Sequence, residues 1–177
     1  MSAALALAGG AAQADKADRN QPLVIEANKP GTVDMQKQVV VFNGNVVVTQ
    51  GTMRITAERM ELREVGEGHR TAVALGVPST QAYFRQKREG LDEFIEGNAD
   101  RIDYDSRSDL VKLTGNAKVR RLRGSTTADE ITGNLITYDN RAELFNVAGD
   151  NAAGGRVRAV LTPPPPAASG AAAGGSR

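Results

Sequence analysis

A short strand-turn motif occurs three times in this chain, and that repetition narrows the available folds more than any single residue does. Each copy opens on an apolar or aromatic residue followed by Asp, continues through an apolar stretch, and closes on Gly-Asn or Gly-Asp. The copies open at Val33-Asp34, Tyr104-Asp105 and Tyr138-Asp139 and close at Gly44-Asn45, Gly115-Asn116 and Gly149-Asp150. The first interval is 115 − 44 = 71 positions and the second is 149 − 115 = 34. Thr56-Ala57-Glu58 returns as Thr127-Ala128-Asp129 at the first interval, 127 − 56 = 71. Repeated strand-turn-strand units build one surface again and again, which suits a long sheet or groove better than a single catalytic pocket.

The sequence between the motifs alternates. Leu23, Ile25 and Ala27 share one parity, with Val24, Glu26 and Asn28 on the other. Such a period of two marks strands with one buried face. Lys29-Pro30-Gly31-Thr32 reads as a turn, and Asn43-Gly44-Asn45 between two valine runs reads as a hairpin turn. Gly115-Asn116 reads the same way. Apolar residues fall at 53, 55 and 57 and then at 60 and 62, and this slip near Glu58 predicts a bulge. No amphipathic helical pattern stands out. The fold class expected is all-β: many short antiparallel strands over residues 22–162.

Composition removes several classes of function. The net charge is +1 and aromatic residues make up 4%, so neither a basic field nor a base-stacking platform points to nucleic acid. The chain has no cysteine, which rules out disulfide scaffolds and thiol chemistry. Its one histidine, His69, lies in the polar run Gly66–Arg70 and reads as a loop residue. No metal site, cofactor or enzymatic activity is expected.

The ends differ from the middle. Residues 1–14 are small and apolar, and Ala12-Gln13-Ala14 fits a signal-peptidase site before Asp15, so this stretch reads as a residual signal peptide. An exported protein follows from that reading. Residues 15–21 form a polar lead-in. Residues 163–177 are almost entirely Pro, Ala, Gly and Ser, a composition that cannot bury a core and is expected to be disordered.

Asp34, Asp105 and Asp139 occupy equivalent repeat positions, which favours turn caps over a catalytic carboxylate pair with distinct environments. The repeated glycines have no helix to open onto, so they are turn glycines and not phosphate loops. Basic residues cluster at Arg85, Lys87 and Arg88 and at Arg120, Arg121 and Arg123. They read either as solvated faces or as an anion-binding rim, since Arg matches phosphate geometry. Ile25, Met35, Phe42, Phe84, Ile102, Tyr104, Leu113 and Tyr138 share the apolar parity of their strands and are expected to point into one cavity between incompletely closed layers.

These residues also carry a resemblance. Asp34-Met35-Gln36, Phe42 through Gly51, and Ile55-Thr56-Ala57-Glu58 resemble the hallmark run of the OstA-like family of periplasmic lipopolysaccharide transport proteins, and Val111 through Ala117 resembles its second hallmark. The similarity runs from about Gln21 to Pro163, while Ala142–Gly155 and the tail depart from the pattern. The resemblance implies a β-jelly roll of stacked antiparallel strands with open ends, located in the periplasm. It implies a ligand, lipopolysaccharide held by its lipid A acyl chains. It also implies head-to-tail self-association and two partners, LptC-like at the inner membrane and LptD-like at the outer membrane. Other classes remain open at this point: an exported β protein that binds a polysaccharide or glycolipid, or a sibling transport component such as an LptC-like protein.

Overall fold

The computed structural model describes residue 18 and residues 20–88, 90–149 and 155–163. The expected signal segment, part of the lead-in and nearly all of the 163–177 tail lie outside the described residues.

Among the described residues twelve strands form one antiparallel sheet. They are β1 (Val24–Glu26), β2 (Lys29–Asp34), β3 (Val39–Gln50), β4 (Met53–Glu64), β5 (Arg70–Leu75) and β6 (Ala82–Lys87), then β7 (Glu93–Ala99), β8 (Arg101–Asp105), β9 (Leu110–Arg123), β10 (Thr126–Asp139), β11 (Leu144–Ala148) and β12 (Arg158–Leu161). The 71-position interval between Gly44 and Gly115 is a structural repeat of two units, whereas Thr56-Ala57-Glu58 and Thr127-Ala128-Asp129 are not equivalent, since Thr56 faces Val47 and the equivalent Lys118 faces Thr132. Asp150 of the third copy lies outside the described residues. β3 pairs with β1 at one end and β2 at the other, as β9 pairs with β7 and β8. β4 pairs with β6 and β5, as β10 pairs with β12 and β11. The two units join where β5 pairs with β8 and β6 with β7.

The expected hairpins at Asn43-Gly44-Asn45 and Gly115-Asn116 are bulges inside continuous strands. Asn43 faces Arg59 and Val46 faces Ala57, so Gly44 and Asn45 together oppose Glu58. In the second unit Thr114 faces Leu135 and Ala117 faces Gly133, which leaves Gly115 and Asn116 opposite Asn134. Both pairs have positive φ, 78° and 51° in the first and 81° and 47° in the second. A bulge and a hairpin turn need the same left-handed backbone, so local sequence does not separate them. Here the flanking segments pair with a third strand and not with each other. The actual reversals are the two-residue loops Gly51-Thr52 and Gly124-Ser125. The expected turn at Lys29–Thr32 is also strand. Pro30 and Gly31 oppose Phe42 at a register shift, and a Cβ on Gly31 would sit 2.3 Å from Phe42 Cδ1. Glycine is there for close approach.

These bulges bend the long strands so that each belongs to two layers. The first layer holds β1, β6, β7 and β12 with the adjoining halves of β3, β4, β9 and β10. The second holds β2, β5, β8 and β11 with the other halves. Val46, Ile55 and Phe84 from the first layer and Met60, Ile102 and Tyr138 from the second meet in one buried cluster. This is the β-jelly roll that the family resemblance implied. The three repeated aspartates cap its turns: Oδ1 of Asp34 accepts the amides of Gln36 and Lys37, Asp105 those of Arg107 and Ser108, and Asp139 those of Arg141 and Ala142. Among the described residues, β1 and β2 pair only with β3, and β11 and β12 only with β10, so both ends of the roll present strand edges.

Candidate functional site

The space between the layers is the candidate site. Phe84, Ile102, Leu113 and Tyr138 are buried there, and Ile25, Phe42 and Tyr104 pack partly buried against the same cluster. Met35 stands apart. It lies in the β2–β3 turn, is 82% exposed, and lines the N-terminal mouth of the groove with Leu23, Ile25 and Val40.

The groove is not uniform along its length. In the N-terminal unit a cavity separates Val48, Met53 and Ile55 on the first layer from Met60, Leu62, Ala72 and Tyr104 on the second. Its rims are Gln50 on one side and Glu67 to Arg70 on the other, so His69 borders this opening. In the C-terminal unit the corresponding space is narrowed and divided into two smaller pockets, one lined by Ile95, Tyr138 and Phe145 and the other by Val119, Ile131, Phe145 and Leu161. Leu62 pairs with Val40 and Tyr138 with Val111; since 111 − 40 = 71, Leu62 and Tyr138 are equivalent. Ala72 pairs with Leu62 and Phe145 with Tyr138, so Ala72 and Phe145 are equivalent too. A leucine and an alanine line the first unit where two stacked aromatic rings, 4.5 Å apart at 13°, occupy the second. The role of Ala72 and Phe145 was not visible in the sequence: they stand 145 − 72 = 73 positions apart and Leu62 and Tyr138 stand 138 − 62 = 76, so the 71-position interval does not align them and only the strand register does.

The basic clusters have carboxylate partners within the chain. Arg120 Nη2 lies 2.8 Å from Glu96 Oε1, and Arg85 lies 3.4 Å from Glu96 Oε2 and over the Phe94 ring. Tyr83 donates its hydroxyl to Glu96 at 2.9 Å. Burial, then that carboxylate, pushes the Tyr83 phenol up from its ordinary value. Arg121 holds Asp129 at 2.5 Å and Glu93 at 3.3 Å, and Arg123 Nε donates to Glu93 at 2.9 Å. Arg88 pairs with Glu93 and with Glu143 at 2.6 Å. Burial would raise the Glu93 pKa, but Arg123, Arg88 and Arg121 outweigh it and hold the carboxyl below the usual range. Hydrogen bonding to Glu143 first, then to Glu93, holds the Arg88 guanidinium in its charged form. Lys87 is the looser member, 3.8 Å from a mostly exposed Asp92. The clusters are therefore balanced networks, and Glu93, Glu96, Asp129 and Glu143 are the members that local sequence did not reveal. On the outer face Arg101 pairs with Asp103.

Residues 24–144 match the family described as LptA/(LptD N-terminal domain) LPS transport protein. The chain is 33% identical over 148 residues to the lipopolysaccharide export system protein LptA of Escherichia coli K12, covering 82% of this chain and 74% of that protein. It is 33% identical over 164 residues to LptA of Haemophilus influenzae, covering 91% and 88%. The crystal structure of LptH, described as the LptA-homologous periplasmic component of the lipopolysaccharide transport device of Pseudomonas aeruginosa, superposes with a TM-score of 0.71 at 25% identity, covering 83% of this chain and 99% of that one. With the fold shared with that structure and the family match over most of the sequence, the chain belongs to the LptA/LptD N-terminal domain family of lipopolysaccharide transport proteins.

Proposed function

We propose that this chain is a periplasmic lipopolysaccharide carrier that holds acyl chains between its two layers and passes the lipid along a bridge from an inner-membrane complex to an outer-membrane complex. The observation that carries this reading is the apolar cavity of the N-terminal unit, open between the layers and lined by Val48, Met53, Ile55, Met60 and Leu62. Each buried methylene contributes about 0.8 kcal/mol, so an acyl chain of about 12 carbons gains roughly 10 kcal/mol before ordering and association costs. Ile25, Phe42, Phe84, Ile102, Tyr104, Leu113 and Tyr138 form the rest of the acyl-holding interior, with Met35 at its mouth.

The bridge is argued from the junction inside the chain. β5 and β6 of the first unit accept β8 and β7 of the second by antiparallel pairing. β11 and β12 are the equivalents of β5 and β6, and β2 and β1 those of β8 and β7. The free edges at the two ends are thus the two halves of a junction the molecule already makes once. Exposed edges accept strands, and a head-to-tail contact of this type extends without closing. A second copy, an LptC-like protein at β1 and β2, or an LptD-like protein at β11 and β12 would fit the same pairing.

A photo-crosslinking residue at Phe42 or Leu113 is expected to capture lipopolysaccharide in cells, and the same residue at the outward positions Arg101 and Asp103 is expected not to. Equal capture at all four positions would overturn the acyl-holding interior. For the bridge, light scattering is expected to show oligomers that grow with concentration; a strict monomer at high concentration that pairs with neither partner would end that part of the reading.

A further inference from the structure

The two rims of the groove meet at one place. Arg88 follows β6 on the rim of the first layer, and Glu143 sits in the β10–β11 turn on the rim of the second. Arg88 Nε donates to Glu143 Oε1 at 3.2 Å and Nη2 to Oε2 at 2.6 Å, a two-pronged contact between residues 55 positions apart. Beneath it lie Ile95, Arg121, Tyr138 and Phe145. The other ion pairs of this cluster join Glu93 to Arg121 and Arg123 within the first layer. In the N-terminal unit Lys29–Glu58, Lys37–Asp34 and Arg63–Glu61 lie at the crease or along one layer.

We propose that the Arg88–Glu143 pair is a clasp across the groove, closing the C-terminal half to sideways entry while the N-terminal half stays open; the identity of what enters rests on the carrier reading above. The two members are held differently. Arg88 is anchored in its own layer by Glu93 and its side chain is 15% exposed, whereas Glu143 is 43% exposed on a turn. Glu143 is therefore the moving half. Paired charges with one partner at the surface separate readily and are screened by salt, which suits a contact that must open and reclose. Lipid enters through the open N-terminal half and moves lengthwise beneath the clasp, unless the clasp releases.

The absence of cysteine makes the test direct, since an introduced thiol is the only one present. Ile95→Cys lies beneath the clasp and Met60→Cys lies in the open half, and both are labelled with N-ethylmaleimide. Adding Glu143→Gln is expected to speed labelling at position 95 about fivefold, the factor that about 1 kcal/mol of lost pairing yields. Position 60 is expected to keep its rate, and Glu143→Asp, which keeps the charge, to stay close to the parent at position 95. Molar sodium chloride is expected to mimic Glu143→Gln. An unchanged rate at position 95 with Glu143→Gln overturns the clasp, as does equal acceleration at positions 60 and 95, or equal acceleration by Asp and Gln. Lipopolysaccharide micelles supply the separate arm. Protection of position 60 supports the carrier, and its absence sinks the carrier reading while the lipid-free rates at position 95 still decide the clasp.

Discussion

The first unit, β1 to β6, and the second, β7 to β12, share one plan and differ in what fills it. Leu62 and Ala72 leave a cavity where Tyr138 and Phe145 stack. The rims over the second unit are joined by Arg88 and Glu143. A duplicated scaffold thus separates two demands on one groove. One unit keeps the wider cavity, and the other is more tightly packed around its two stacked rings. Small side chains at a buried position forfeit dispersion contacts unless something occupies the gap, so the first unit is the less stable one when empty.

The largest expected effect tests the packed unit. Tyr138→Ala removes a buried ring and its stacking partner and is expected to lower stability by about 3–5 kcal/mol, read from urea unfolding. Leu62→Ala, at the equivalent but partly buried site, is expected to lower it by less than about 2 kcal/mol. Equal losses would erase the difference between the units. Next comes filling the open unit. Ala72→Phe places in the first unit the ring that Phe145 supplies in the second, and it is expected to weaken lipopolysaccharide capture at position 42 by roughly tenfold, or about 1.4 kcal/mol, with the melting temperature preserved or raised. A collapse in melting temperature instead would mean that the first unit has no room for the ring.

A smaller effect compares the two creases. Gly44 and Gly115 both hold positive φ, so Ala at either is expected to cost about 1 kcal/mol from the backbone. Gly115→Ala is expected to cost more. Its Cβ would sit 2.4 Å from Asp100 Oδ2, and Asp100 is tied to Gln81 and Asn116. At Gly44 the obstacle is the flexible Lys29 side chain at 2.5 Å, which can move aside. Chemical denaturation of the two variants would show the order, and a larger loss at Gly44 would refute it.

The smallest effect is with pH. The Lys37 amide first, then the Lys37 ammonium and the Gln36 amide, hold the Asp34 carboxyl low. At Asp105 burial acts upward, but the amides of Arg107 and Ser108 outweigh it and the net shift is downward. A carboxyl lowered by folding adds stability that is fully present above its unfolded pKa and is lost as pH falls through its folded value. Stability is therefore expected to hold through neutral and mildly acidic pH and to decline below the ordinary carboxylate range. Carboxyl titration by NMR is expected to place both aspartates below that range in their respective units, and an ordinary value at either would remove it from the acid transition.

Much of this was legible in the chain. Alternation marked the strands, the slip at Glu58 marked a bulge, and the three equivalent aspartates announced their capped turns. Where reading failed, the cause was a shared local conformation or a distant partner. Gly44-Asn45 has the backbone of a hairpin turn and of a bulge alike, and only the third strand alongside decides between them. Pro30-Gly31 looks like a reversal until Phe42 is laid against it. The basic residues looked unopposed because Glu143 is 55 positions from Arg88 and Glu93 is 30 from Arg123. The acyl-holding interior and the lipid itself were expectations from strand parity and resemblance, and they stand as proposals that crosslinking decides.

The bent strands also dictate how the molecule can come apart. Because β3, β4, β9 and β10 each run through both layers, the layers share four continuous backbones and cannot unzip from one another without pulling those strands out of register. The weaker seam runs crosswise, through the short β5–β8 and β6–β7 ladders. Folding inherits the same geometry. Residues 24–87 bring most of their partners with them, so a chain delivered N-terminus first can complete one unit before the next arrives and then use its exposed edge as the template for the second.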